Sequence, residues 1–223
     1  MQRVLLRRRV LLSGLTNMGG GTNWEQRWQT KNTPWDLGTV TPALSEQLDR
    51  IPKGATGLVP GCGAAYDLSA IATRCKSVTG VDISGTAIEV AKSKVKEENV
   101  DFVLGNFFDY HLFDHHFDFI FDYTFFCAID MGMREEWGKR MSSLLKPGGK
   151  LLTLVFPIDE TKAFDLTAEG PPFPVSVAAY EKVLSCHGIR KLSETASEAS
   201  VSPRREKELV VWWEKPTSTK ATL

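Results

Sequence analysis

The chain has 223 residues, 42% of them hydrophobic and 24% charged, enough for one α/β domain with a full core. Its 27 Lys and Arg balance its 27 Asp and Glu, which excludes a basic field for nucleic acid. No apolar run approaches the ~18 residues of a membrane span, and Cys62, Cys75, Cys127 and Cys186 are scattered without the Cys-x-x-Cys pairs of a metal site.

Residues 1–22 carry Arg3, Arg7, Arg8 and Arg9 among leucines and valines, with no acid before Glu25. An organelle-targeting segment, a disordered tail and an upstream start ahead of Met18 are the open readings of this basic tail. Without targeting, scattered reduced thiols indicate a cytoplasmic protein. The domain itself is expected over 23–217, its first part (23–52) an N-terminal lid and 218–223 a short tail.

Trp24 and Trp28 are four apart and share a helix face. Pro34 ends that helix and sets Trp35 in an extended turn. Two readings stand for these tryptophans: packing on a sheet, or an aromatic lid over a cation, each good contact contributing on the order of 0.5–2 kcal/mol. Thr41-Pro42 starts a helix through about Ile51. Strands are predicted at Gly57–Pro60, Ser77–Asp82, Asp101–Leu104, Phe117–Asp122 and Lys150–Phe156. Between them lie helices to about Arg74, from Ser84 with the stripe Ala87, Ile88, Ala91 and Val95, and through Met133, Trp137, Met141 and Leu145. The last of these stops at Lys146-Pro147-Gly148-Gly149. A long loop over 157–174 follows, then a helix capped by Ser176 and ended by Gly188, and two strands at Ile189–Glu194 and Glu208–Lys215. Alternation of this kind implies a mostly parallel sheet with its ligand at the carboxyl ends of the strands.

The first strand ends in Gly61-Cys62-Gly63, where glycines permit a sharp turn and close approach of a ligand. Asp82 ends the second strand roughly 20 residues later, placed to accept hydrogen bonds from a ribose diol. Tyr66 stands where the third glycine of a dinucleotide fingerprint belongs. That argues against a pyrophosphate and for an adenosine ligand such as S-adenosylmethionine. A tight turn with a solvated acid is the plainer alternative.

The fourth strand ends in Asp122-Tyr123-Thr124-Phe125-Phe126-Cys127, lacking the paired prolines of enzymes that methylate base amino groups. Phe125 and Phe126 are either core or, with Tyr123, Phe156, Phe173 and Tyr180, the walls of a small dry pocket. Such a pocket suits an acceptor that is already an anion, since a desolvated anion held in line is more reactive. On that reading Tyr123, Phe125 and Tyr180 carry the chemistry. Cys62 and Cys127 read as structural thiols rather than nucleophiles. His111, His115 and His116 read as solvated surface, and Arg204, Arg205 and Lys207 as a solvated loop or a mobile cover for an anion.

Trp24…Trp28…Thr33-Pro34-Trp35-Asp36-Leu37-Gly38, Leu58-Val59-Pro60-Gly61-Cys62-Gly63, Val78 to Ser84, Phe121 to Ile129 and Leu145 to Gly149 closely resemble the thiopurine methyltransferase-like family. Within it they resemble the plant-type methyl halide and thiol methyltransferases. The resemblance implies a class I fold, a seven-stranded, mostly parallel sheet with a C-terminal antiparallel hairpin. It also implies methyl transfer from S-adenosylmethionine, without a metal, to iodide, bromide, chloride, thiocyanate or bisulfide. Small organic thiols are the rival acceptors, and a non-catalytic adenosyl-binding protein the remote alternative. Carried over residue by residue, Trp24, Trp28 and Trp35 match the lid, Gly61 with Gly63 the turn, and Asp82 the ribose acid. Asn106 and Phe107 match the adenine pair, and Tyr123 the strand-tip aromatic. Where the family more often has an acid, Asn106 offers an amide oxygen. A monomer acting on a small molecule, with neither nucleic acid nor membrane as partner, is expected.

Overall fold

A computed structural model describes residues 21–113 and 116–217. The expectations for the basic tail, for His115 and for residues 218–223 lie outside the described residues. Seven strands form one sheet in the order β3-β2-β1-β4-β5-β7-β6. They are β1 (Thr56–Pro60), β2 (Ser77–Asp82), β3 (Val100–Leu104), β4 (Phe117–Tyr123), β5 (Leu145–Val155), β6 (Arg190–Ala196) and β7 (Leu209–Glu214). The first five are parallel, and β7 runs antiparallel to both β5 and β6. The mostly parallel sheet with its C-terminal hairpin is as expected.

Central strands are apolar throughout because helices cover both faces. Side chains alternate between the two cores: Leu58, Ile120, Leu151, Val211 and Trp213 face one way, Val59, Phe121, Leu152, Val210 and Trp212 the other. Helices α5 (Arg134–Leu144) and α6 (Val177–Ser185) bury Trp137, Met141, Tyr180 and Leu184 on the first face. On the second, α2 (Pro42–Ser45), α3 (Tyr66–Ala72) and α4 (Gly85–Lys94) bury Leu44, Leu68, Ile71 and Ala91. Caps are where hydroxyls predict them: Ser84 accepts from Ala87 N at 3.0 Å and Ser176 from Ala179 N at 3.1 Å.

Two local expectations change. The helix over 41–51 is one turn of α-helix followed by a 3₁₀ turn, Leu48–Arg50. The stop at Lys146–Gly149 lies inside β5 as a bulge, pairing jumping from Phe117↔Leu145 to Phe119↔Lys150. Pro147 has no amide to donate, and the bulge is pinned by Gly148 N donating to Lys215 O at 2.6 Å.

The topology fixes the ligand crevice. Chain direction reverses its spread between β1 and β4, which are neighbours, so their carboxyl ends open a gap at the switch point. On the covered face, α5 and α6 meet at Gly138, where a Cβ would lie 2.4 Å from the Val183 carbonyl oxygen. Gly138→Ala therefore forces the helices apart and is expected to cost roughly 1–3 kcal/mol. A lowered urea midpoint at unchanged slope would show this; a midpoint equal to wild type would mean the helices separate freely.

Candidate active site

Beyond the tips of β1, β2 and β4 lies a cavity of about 510 Å³. Its floor is the turn after β1. Gly61 (φ +59°) and Gly63 (φ +51°) take left-handed conformations, which β-carbons disfavour. Both glycines line the cavity, and their missing side chains also make room for neighbouring rings. A Cβ on Gly61 would lie 2.5 Å from the Phe125 ring, and one on Gly63 would lie 3.1 Å from the Trp28 ring. The protein's own aromatics fill both spaces.

Asp82 staples this turn to α4. Its Oδ2 accepts from Gly63 N and its Oδ1 from Ser84 N, both at 2.9 Å. Burial pushes its carboxyl up, partly offset by the backbone amides of Ser84, Gly63 and Ile83. Two carboxylate oxygens offer about four acceptor sites, two of which the Gly63 and Ser84 amides use, so acceptor capacity remains on a side chain that lines the cavity. That fits a ribose diol.

Helix α1 (Trp24–Gln29) closes one side. Trp35 meets Trp24 edge-on at 5.3 Å between centroids and Trp28 at 6.4 Å. Glu25 ties α1 to the start of α4, accepting from Ser84 Oγ and Thr86 Oγ1 at 2.6 Å each and from Thr86 N at 3.2 Å. Burial alone would raise its carboxyl, but these bonds outweigh it and hold the pKa at about 2.

The loop after β3 carries Asn106, whose Oδ1 accepts from Phe108 N at 3.0 Å, so one lone pair remains for an incoming amino group. Phe107 is buried with its ring 5.2 Å from Phe125. Arg140 of α5, itself buried, holds the loop through Phe107 O (3.0 Å) and Asp109 O (2.9 Å).

At the tip of β4, Tyr123 donates to Glu208 Oε2 at 2.6 Å and accepts from Arg204 Nη1. Arg204 Nη2 also donates to Trp35 O at 2.8 Å, and Ser200 Oγ donates to Glu208 Oε1 at 2.6 Å. The guanidinium lies over the Tyr123 and Phe156 rings at 5.2 and 4.9 Å. Burial and the Glu208 charge push the Tyr123 phenol far up, so this hydroxyl is neither base nor acid near neutrality. Arg204 is thus not solvated, correcting the surface reading: it is 7% exposed and lines the cavity. Arg205 and Lys207 are exposed.

Of the expected pocket walls, Tyr123, Phe125 and Phe156 line the cavity; Phe126, Phe173 and Tyr180 are not among its lining residues. Tyr180 is buried between Phe126, 3.9 Å away, and Trp213, at 6.5 Å. Its apolar face belongs to the α6 stripe that covers the sheet, so it holds the core rather than an acceptor. Pro171 and Pro172 replace Phe173 at the wall, brought there by Phe173 N donating to Cys127 O at 2.7 Å. Cys62 and Cys127 are free thiols on the lining, and burial pushes both up, Cys127 to about 12. His111 and His116 are exposed. Glu25, Asp67, Arg140 and Glu208 carried no signal in the sequence, because each acts through a partner at least 25 residues away.

Fold and site together define a class I methyltransferase: a doubly wound sheet with a cavity of about 510 Å³ at its switch point, lined by Asp82 and the glycine turn. The sequence profile of the thiopurine S-methyltransferase (TPMT) family matches residues 21–220. A probable thiol methyltransferase 2 of Arabidopsis thaliana is 42% identical over 93% of this chain and 90% of that protein. Thiocyanate methyltransferase 1 of Brassica oleracea is 39% identical over 86% and 84%. Among solved structures, the N-methyltransferase NodS from Bradyrhizobium japonicum WM9 with S-adenosyl-L-homocysteine superposes at a TM-score of 0.64. It covers 87% of this chain and all of that one at 19% identity, a likeness of fold. The chain belongs to the thiopurine S-methyltransferase family, and it is a methyltransferase.

Because Glu25 is held below its ordinary pKa, its contribution to docking α1 is complete above about pH 4.5 and is lost as pH falls toward 2. Glu25→Ala is expected to remove it at neutral pH, speeding amide exchange in Trp24–Gln29 roughly tenfold with the sheet unchanged. Equal protection in both proteins would show that the tryptophans alone dock the helix.

Proposed function

We propose that the protein transfers the methyl group of S-adenosylmethionine to small soft anions, with thiocyanate and bisulfide foremost and halides as further acceptors. The observation that carries this reading is the buried Arg204 beside an apolar wall of Phe125, Phe156, Cys127, Ile129, Pro171 and Pro172. A buried cation in a dry surround attracts an anion and displaces its water.

The cofactor would be held by Asp82 at the ribose, Asn106 and Phe107 at the adenine, and Trp24, Trp28 and Trp35 as a lid over the sulfonium end. Bound there, it supplies an electrophilic methyl on a positively charged sulfur. This chain's residues then do three things. Arg204, fixed by Tyr123 and Trp35, draws the acceptor in; its guanidinium has five N–H donors and the two bonds described leave others free. The aromatic wall excludes water, which raises the nucleophilicity of a desolvated anion. Phe125, seated on Gly61, limits where the acceptor can stand, so attack is in line. An acceptor that is already an anion asks for no base. Small organic thiols are the second reading, favoured by the 42% identity to a probable thiol methyltransferase.

Headspace gas chromatography of the purified protein with S-adenosylmethionine and each of thiocyanate, bisulfide, iodide, bromide and chloride tests this. Volatile methylated product above a boiled control is expected, most with thiocyanate and bisulfide. Silence with every anion alongside turnover of a small organic thiol would replace the first reading with the second. The pH profile separates the two acceptor types. Thiocyanate methylation should be flat from pH 7 to 9, whereas a thiol with a pKa near ~8.5 should gain about tenfold per unit below it. Tyr123→Phe unties Arg204 from Glu208 and should lower kcat/KM for the acceptor roughly tenfold. Unchanged kinetics would remove Tyr123 from the site.

A further inference from the structure

Two basic residues line the cavity among the described residues, Arg27 and Arg204. Arg204 is committed through Tyr123 and the Trp35 carbonyl. Arg27 is not. It stands on α1, and its guanidinium carbon lies 5.5 Å from the Trp35 ring centroid and 5.8 Å from that of Trp24. Among the described residues no hydrogen bond or ion pair holds its guanidinium; ring faces alone do. Those faces steady the cation without occupying any of its five N–H donors.

The acids of the cavity do not neutralise it. Asp82 faces Gly63 N and Ser84 N, Asp67 faces Thr41 N and Thr41 Oγ1, Asp36 accepts from Gly38 N, and none of the three pairs with Arg27 among the described residues. An uncompensated guanidinium in a ligand cavity is a recognition element for an anion, and the planar fork matches a carboxylate best.

The adenosyl reading says which carboxylate. With the adenine at the Asn106–Phe107 loop and the ribose at Asp82, the amino-acid end of the ligand must run away from β3 and over the glycine turn. That turn is where α1 touches down: Trp28 packs on Gly63, and Arg27 is its neighbour in the chain. The geometry points to Arg27 as the partner of the carboxylate at the amino-acid end of the adenosyl ligand, a role that rests on the function proposed above. Trp24 and Trp35 then act as the backing that aims the fork. The ligand in turn supplies the counter-charge that the Arg27 guanidinium lacks.

Isothermal titration of the full chain with two ligands that differ only in that group tests the assignment: S-adenosylmethionine and decarboxylated S-adenosylmethionine. Arg27→Met should weaken the first roughly ten- to a hundredfold and the second less than twofold. Arg27→Lys, which keeps the charge and loses the fork, should fall between for the first ligand. The assignment is overturned if Arg27→Met binds S-adenosylmethionine as wild type does. It is equally overturned if both ligands weaken by the same factor, since the arginine would then only support the wall. A wild type that melts cooperatively yet binds neither ligand would defeat the adenosyl reading itself, a result distinguishable from failure of Arg27 alone.

Discussion

Arg204 and Glu208 are buried within a few residues of one another in the chain, and neither charge can stay there without partners. Removing water from an ion is repaid only by good geometry on all sides. The repayment comes from three other segments, Tyr123 at the end of β4, Trp35 from the N-terminal segment and the Phe156 ring just after β5, and from Ser200 of the same loop. The polar loop between β6 and β7 therefore cannot wander over the surface. It is drawn down over the strand tips, and Ser197 fastens it again to Glu46 at 2.7 Å. One side of the cavity is thus a consequence of burying two opposite charges bridged by the Tyr123 hydroxyl, not of packing apolar surface.

The opposite side is built by the same rule with different donors. Asp82 and Glu25 both reach the N-terminus of α4, where free amides and the positive end of the helix favour carboxylates. Asp82 joins that terminus to the glycine turn, and Glu25 joins it to α1. Their pKa directions differ because their surroundings differ. Burial dominates for Asp82 and raises it, while hydroxyl and amide donors prevail over burial for Glu25 and lower it. The arrangement leaves a partly negative rim, held by these bonds, beside the sulfonium end expected of the ligand.

The sheet was legible because its causes are local. Continuous apolar runs, Ser84 and Ser176 at caps, Pro42 at a first helical turn and Asp82 at a strand tip each report on their neighbours in sequence. The glycine turn was legible in position but not in use, since which ring fills a missing side chain depends on Phe125 and Trp28, far along the chain in either direction. Tyr180 shows the limit most plainly. An aromatic on an apolar stripe says that a helix face is covered, and nothing in that periodicity separates a cavity wall from the core behind it. The buried arginines are harder still. Arg134 bonds to Ala163 O and Pro174 O and so anchors the long loop that carries Pro171 and Pro172, yet in sequence it reads as the exposed start of a helix.

The two cavity thiols show why the electrostatics of this site must be set as they are. A site that presents an electrophilic methyl to soft sulfur nucleophiles endangers its own cysteines, because a thiolate is the reactive form. Cys62 stands in the glycine turn and Cys127 at the β4 tip, both on the cavity lining. Burial raises each thiol, and an acid beside each raises it further: Asp82 for Cys62, Asp122 for Cys127. Burial, with Asp122 beside it, therefore keeps the Cys127 thiol protonated near neutral pH. On the proposed reading, an acceptor that enters as an anion faces no such barrier and meets Arg204 instead. The same apolar lining that activates the incoming nucleophile therefore silences the resident ones, and the difference rests on which of them carries its charge into the cavity.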